Sequence, residues 1–138
     1  RRENTMYRID KRINIVYLEF GGYIKKEEMQ KWYDESVKFL SIFEETVFYV
    51  FVDMRTLKAL PADSQEIMVA GQKLYRKSGM KRSIVILDSM ITTIQFIRIA
   101  KQSGIYEYER YIDASTIPDW KTVGLEWLLK EVAPAEVR

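Results

Sequence analysis

The chain has 138 residues, 47% hydrophobic and 30% charged, a balance that excludes a disordered chain and leaves room for one core but not two. Its 22 basic and 20 acidic residues give a net charge of +2, too small a field to gather nucleic acid without a local cluster. With no Cys and no His, disulfides, thiolate zinc sites, a cysteine nucleophile and the Ser-His-Asp triad are excluded.

The N-terminal region carries Arg1, Arg2, Arg8, Lys11 and Arg12, interrupted by Glu3 and Asp10, and reads as a solvated face. Residues 6–9 and 13–20 are β-rich stretches joined by Asp10-Lys11-Arg12, which predicts a hairpin ended by Gly21-Gly22. Over residues 26–43 Met29, Trp32, Tyr33, Val37, Leu40 and Phe43 recur at steps of three and four, the period of an amphipathic helix. Residues 46–53 form an unbroken β-branched and aromatic run, as expected of a strand covered on both faces. Its apolar part, residues 47–52, is the longest in the chain and far short of the roughly 20 residues that span a bilayer.

Pro61 then precedes Asp63-Ser64-Gln65-Glu66, which has the form of a capping box, and Ile67, Ala70 and Leu74 share one helical face until Gly79. Residues 83–87 are a second short apolar strand ending in Asp88-Ser89, where Ser89 is placed to cap a third helix that stops before Gly104. Residues 108–113 predict a last strand. Pro118 fits the first turn of a final helix carrying Trp120, Val123, Leu125, Trp127 and Leu128. This order predicts an α/β fold over residues 1–138: a single mixed, mainly parallel sheet of about five strands with four flanking helices.

Several segments carry a family resemblance: Val-Asp-Met-Arg-Thr-Leu-Lys-Ala-Leu-Pro at 52–61, Gly-Met-Lys-Arg-Ser-Ile-Val at 79–85, Gln95-Phe96-Ile97-Arg98, Glu109-Arg110-Tyr111 and Trp127-Leu128. Together they resemble the STAS-like domains related to stage II sporulation protein AA, the bacterial anti-sigma-factor antagonist. The resemblance implies a β/α superhelix, a cytoplasmic location and action by binding a protein or a ligand, with no known reaction. In signalling members a Ser in an Asp-Ser-Ser-Gly turn is phosphorylated. The nearest segment here, Asp63-Ser64-Gln65-Glu66, lacks the second Ser and the Gly.

Ser64 is thus a candidate phosphorylation site, at a helix start where free amides and the dipole favour a phosphate. Asp63 and Glu66 would repel one, and Asp63 as N-cap explains the segment without it. Asp53, Arg55, Asp88 and Ser89 fall at strand C-terminal ends, where open α/β sheets bind ligands. An Arg55 and Arg98 pair suits a carboxylate or phosphate, so Asp53, Arg55, Ser89 and Arg98 are the expected site for a small anionic or lipid-like ligand. Against it, Ser89 can simply cap, and Asp53 and Asp88 can bond loop amides. On the third helix Gln95, Arg98 and Gln102 form a polar stripe beside a wide apolar arc of Ile91, Ile94, Phe96, Ile97 and Ile99. That arc is either buried on several sides or a partner interface centred on Gln95, Phe96 and Ile99.

With Trp120 and Trp127 seven residues apart on similar helix faces, the arc makes a homodimer the expectation. Tyr106, Tyr108 and Tyr111 interleave with Glu107, Glu109 and Arg110 and suit strand packing better than base stacking. No metal or cofactor is expected, the residual option being magnesium on Asp53, Asp63 or Asp88. The reading is a non-catalytic regulatory module, acting in the cytoplasm through a protein partner or itself. A small anionic ligand is the alternative. Neither a nucleic acid nor a membrane span enters it.

Overall fold

The computed structural model describes residues 3–137; Arg1 and Arg2 of the basic N-terminal region lie outside the described residues. The elements are β1 (Thr5–Asp10), β2 (Ile15–Phe20), α1 (Lys26–Phe39), β3 (Phe48–Asp53), α2 (Ala62–Lys77), β4 (Met80–Leu87), α3 (Met90–Ser103), β5 (Glu109–Asp113) and α4 (Trp120–Lys130). They build one five-stranded sheet in the order β1-β2-β3-β4-β5. β1 is antiparallel to β2, and β2 to β5 are parallel to one another. The sheet is mixed and mostly parallel, with four helices, as the alternation of apolar runs and helical periodicity predicts.

Element ends follow local chemistry. The Asp10 carboxylate accepts the Arg12 amide at 3.0 Å, and Asn14 takes a left-handed conformation (φ 54°), so the hairpin turn extends to residue 14 and β2 starts at Ile15, not 13. The first helix ends at Phe39, and Leu40–Phe43 tighten into a 3-10 turn that lays Phe43 on Phe48 with centroids 4.6 Å apart. Helix α2 starts one residue ahead of Asp63, with Pro61 at the N-cap. Asp63 therefore caps nothing, and its Oδ1 accepts the amide of the adjacent Ser64. Likewise Pro118 precedes α4, whose N-cap is Asp119.

Parallel strands added side by side through crossovers of one hand keep their helices on one face. Helices α1, α2 and α3 accordingly lie next to one another on the same side of the sheet. There they cover Val16, Leu18, Phe20, Val50, Val52, Val85 and Leu87. The fit is close at Gly71, where a Cβ would overlap the Trp32 ring. Among the described residues helix α4 alone covers the opposite face, over Phe51, Ile84, Ile86 and Ile112.

Two polar contacts pin α4. Arg82 reaches its C-terminal end, with Nε and Nη2 donating to the Leu128 carbonyl at 3.0 and 2.8 Å, and Trp127 Nε1 donates to Ser83 O at 2.9 Å.

Candidate groove on the open half of the sheet

One helix cannot cover a face five strands wide. Helix α4 packs on β3, β4 and β5, and among the described residues no element covers the part of its face over β1 and the end of β2 beyond the buried Ile15. Strand alternation decides which side chains stand there: on β2 Val16 and Leu18 face α1, so Tyr17 and Glu19 face the open side. Across the ladder Met6 pairs with Glu19 and Arg8 with Tyr17. The result is a groove of about 330 Å³, lined by Met6, Arg8, Tyr17, Glu19, Phe51 and Asp53 on the sheet and by Trp120 and Lys121 at the start of α4.

Its floor is an aromatic row. Tyr17 and Phe51 lie 5.6 Å apart between centroids, and Phe51 and Trp120 6.3 Å. Two guanidinium groups sit on that row, Arg8 at 4.0 Å from the Tyr17 centroid and Arg55 at 4.3 Å from that of Trp120. They are held differently. Arg55 is fixed: Nε and Nη2 donate to the Asp53 carboxylate at 3.0 and 2.9 Å, and its amide also donates to Asp53 Oδ1. That hydrogen bond raises the pKa of Arg55, partial burial opposes it, and the charges of Asp53, Glu19 and Asp88 reinforce it. Among the described residues Arg8 and Lys121 have no hydrogen-bond or ion-pair partner. The groove therefore offers a flat apolar floor and two cations whose donors are free.

The residues singled out in the sequence separate. Asp53 and Arg55 belong to this groove. Arg98 does not: on α3, across the sheet, its Nη2 donates to Gln65 Oε1 at 3.1 Å. No clamp forms between Arg55 and Arg98, because Arg55 lies against α4 on one face and Arg98 on α3 over the other. Ser89 caps α3, its Oγ accepting the Thr92 amide and its carbonyl accepting the Thr92 and Thr93 hydroxyls.

Phe96 and Ile99, expected at a partner interface, are instead core residues at 0 and 1% exposure. Gln95 is a brace, accepting the Leu60 amide at 2.9 Å and donating to the Leu60 carbonyl at 3.2 Å. The exposed apolar residues of α3 are Met90, Ile91 and Ile94. Ser64 is fully buried and its hydroxyl donates to the Ile24 carbonyl, so it is not presented at the surface in this conformation. Trp120 and Trp127 share a face, as their spacing requires, and that face meets the sheet.

The sequence reading missed Tyr17, Glu19 and Lys121 and assigned Arg8 to plain solvent. A signal was available in the topology. Three crossover helices on one face leave a single helix for the other, so part of that face had to remain uncovered. The chain was compared with models of known protein families and with curated proteins, and it matches none of them.

Proposed function

We propose that the chain is a binding module without chemistry of its own, and that its groove takes a small organic anion with a flat apolar body. The observation that carries this is the pairing of the aromatic row Tyr17, Phe51 and Trp120 with the unpaired cations of Arg8 and Lys121. An apolar concavity with a few convergent polar groups is the usual form of a small-ligand site. A guanidinium resting on an aromatic face keeps its N–H edges free for a carboxylate or phosphate. Asp53 is already bonded to Arg55, which leaves the Arg8 end of the groove as the anion's place.

The test uses 2-naphthoate as a probe, followed by Trp fluorescence, with neutral 2-naphthylmethanol as its uncharged counterpart. Naphthoate is expected to bind more tightly than the alcohol. Arg8→Ala should weaken the acid by about tenfold, the 1.4 kcal/mol of one charge-assisted contact, and leave the alcohol unchanged. Equal binding of acid and alcohol, or an unaltered Arg8→Ala, would rule the reading out.

One observation favours a second reading, a protein partner of the kind that the resemblance to STAS-like domains implies. Met90, Ile91 and Ile94, at 47, 65 and 55% exposure, form an apolar patch at the start of α3, beside the strand C-terminal ends. Its check is pull-down by the wild type against an Ile91→Glu, Ile94→Glu double variant, where an identical set of captured proteins would dismiss it.

A further inference from the structure

The two edges of the sheet are finished differently. At the β5 edge Arg110 Nη1 donates to the carbonyls of Glu107 and Glu109 at 3.0 and 2.9 Å. Its guanidinium rests on Trp127 at 4.3 Å. Residues 133–137 run alongside, with Val137 packed on the core. A charged side chain and a covering segment are common protections of an edge against strand addition. Strand β1 carries Arg8 and Asp10, but neither side chain bonds its outward backbone groups, and among the described residues no segment runs beside its outer edge. It contains no Pro and no bulge, and Met6, Tyr7 and Arg8 at its middle are exposed.

The direction of its backbone groups follows from one bond. The Gly21 amide donates to the Asn4 carbonyl, which sets the phase of the antiparallel ladder. Asn4, Met6, Arg8 and Asp10 turn their N–H and C=O groups toward β2, and Thr5, Tyr7 and Ile9 turn theirs outward. Among the described residues nothing bonds to these outward groups.

We propose that this edge pairs with β1 of a second copy, antiparallel about a two-fold axis at Tyr7. In that register Tyr7 faces Tyr7 and Thr5 faces Ile9 of the second copy, and each facing pair exchanges both backbone hydrogen bonds. All the outward groups are then satisfied. The same register sets Glu3, which already pairs with Lys31 of its own chain at 2.9 Å, opposite the exposed Lys11 of the second copy, where its second oxygen can take an added cation, and Met6 opposite Arg8.

Neighbouring registers fit worse. Centring on Arg8 would oppose like charges, and centring on Met6 would set Ile9 against Glu3. Tyr7, 48% exposed and stacked on Phe39 at 4.2 Å, moves from the rim of one molecule to the middle of the joint. The pairing stands on the edge alone. Its effect on the groove rests on the ligand reading above: Met6 and Arg8 of the second copy wall the side left open at β1.

Since the chain has no Cys, Tyr7→Cys is a clean reporter, and facing Cα atoms about 5.5 Å apart lie within disulfide range. Sedimentation of the wild type at about 100 µM should give a dimer. Under mild oxidation Tyr7→Cys should cross-link at least about tenfold faster than Ile91→Cys, placed on the exposed face of α3. Tyr7→Pro removes the ring stacked on Phe39 and an outward N–H, but no ladder bond to β2, and should give a folded monomer by circular dichroism. A monomeric wild type, or equal cross-linking of the two Cys variants, overturns the pairing. Should Tyr7→Pro not fold, the cross-linking comparison decides. Naphthoate titration of the same preparations keeps the two readings apart: a dimer that does not bind refutes the groove, and a monomeric wild type that binds refutes the pairing.

Discussion

Glu109 is a carboxyl group buried without a cation. It lies on the face of β5 turned toward α1, α2 and α3, at 3% exposure, accepting from Ser83 Oγ at 2.8 Å and from the Tyr111 hydroxyl at 2.7 Å. Burial pushes its pKa up to about 7, against the opposing pull of the Tyr111 and Ser83 hydrogen bonds. Burial first, and then the adjacent carboxylate, push the Tyr111 hydroxyl up as well. The native state thus binds the Glu109 proton more tightly than the unfolded chain. This contribution to stability is whole below about pH 4.5, declines as pH rises toward 7, and is absent above. Glu109→Gln, neutral throughout, should flatten that slope and unfold at higher denaturant than wild type at pH 8, by up to about 3 kcal/mol. At pH 4 the two should be close. Parallel urea midpoints at both pH values would expose an error in the assignment.

At the scale of the element, α4 carries the groove because Trp120 and Lys121 begin it and Gly124 lets it approach. A Cβ at Gly124 would stand 2.9 Å from Phe51 Cε2 and 3.5 Å from Ile84 Cγ1. Gly124→Ala gains about 1 kcal/mol of helix propensity but overpacks the contact, which costs about 1–3 kcal/mol. Overpacking should win, and because Phe51 is also groove floor, naphthoate binding should weaken with it. A more stable Gly124→Ala that binds normally would show that the helix sits more loosely.

Existence and type of the elements were legible because apolar runs and three-to-four spacing are local signals, and the glycines at 79 and 104 adopt the positive φ (117° and 90°) expected at helix ends. What a side chain meets was not legible. The spacing on α3 measured the width of its apolar arc without saying that the sheet takes Phe96 and Ile99. Ser64 is buried by the carbonyl of Ile24, forty residues earlier. Arg55 and Arg98 parted because a sheet, invisible in the spacing, stands between them.

For the whole molecule the deciding feature is unequal cover: three helices on one face of the sheet and one on the other. Amide exchange should follow it. Amides of β3 and β4, paired on both sides and covered on both faces, are expected to exchange slowest. Those of Thr5, Tyr7 and Ile9 should exchange fast in dilute protein and slow as concentration rises, while β5 stays unchanged. Concentration-independent exchange at all three would contradict pairing at β1.

The strand order has a consequence in time as well as in space. Every strand lies beside the one that precedes it in the chain, so no strand has to enter between two already joined, and each new pairing closes a loop only as long as one crossover. Shorter loops cost less entropy to close, although parallel pairing through a crossover stays slower than local helical contacts. The sheet can lengthen at a single growing edge in the order in which a ribosome releases the chain. Helix α4 follows β5 in the chain and packs on the opposite face, so it can dock only after β3, β4 and β5 are in place, and the groove forms later than the sheet that floors it.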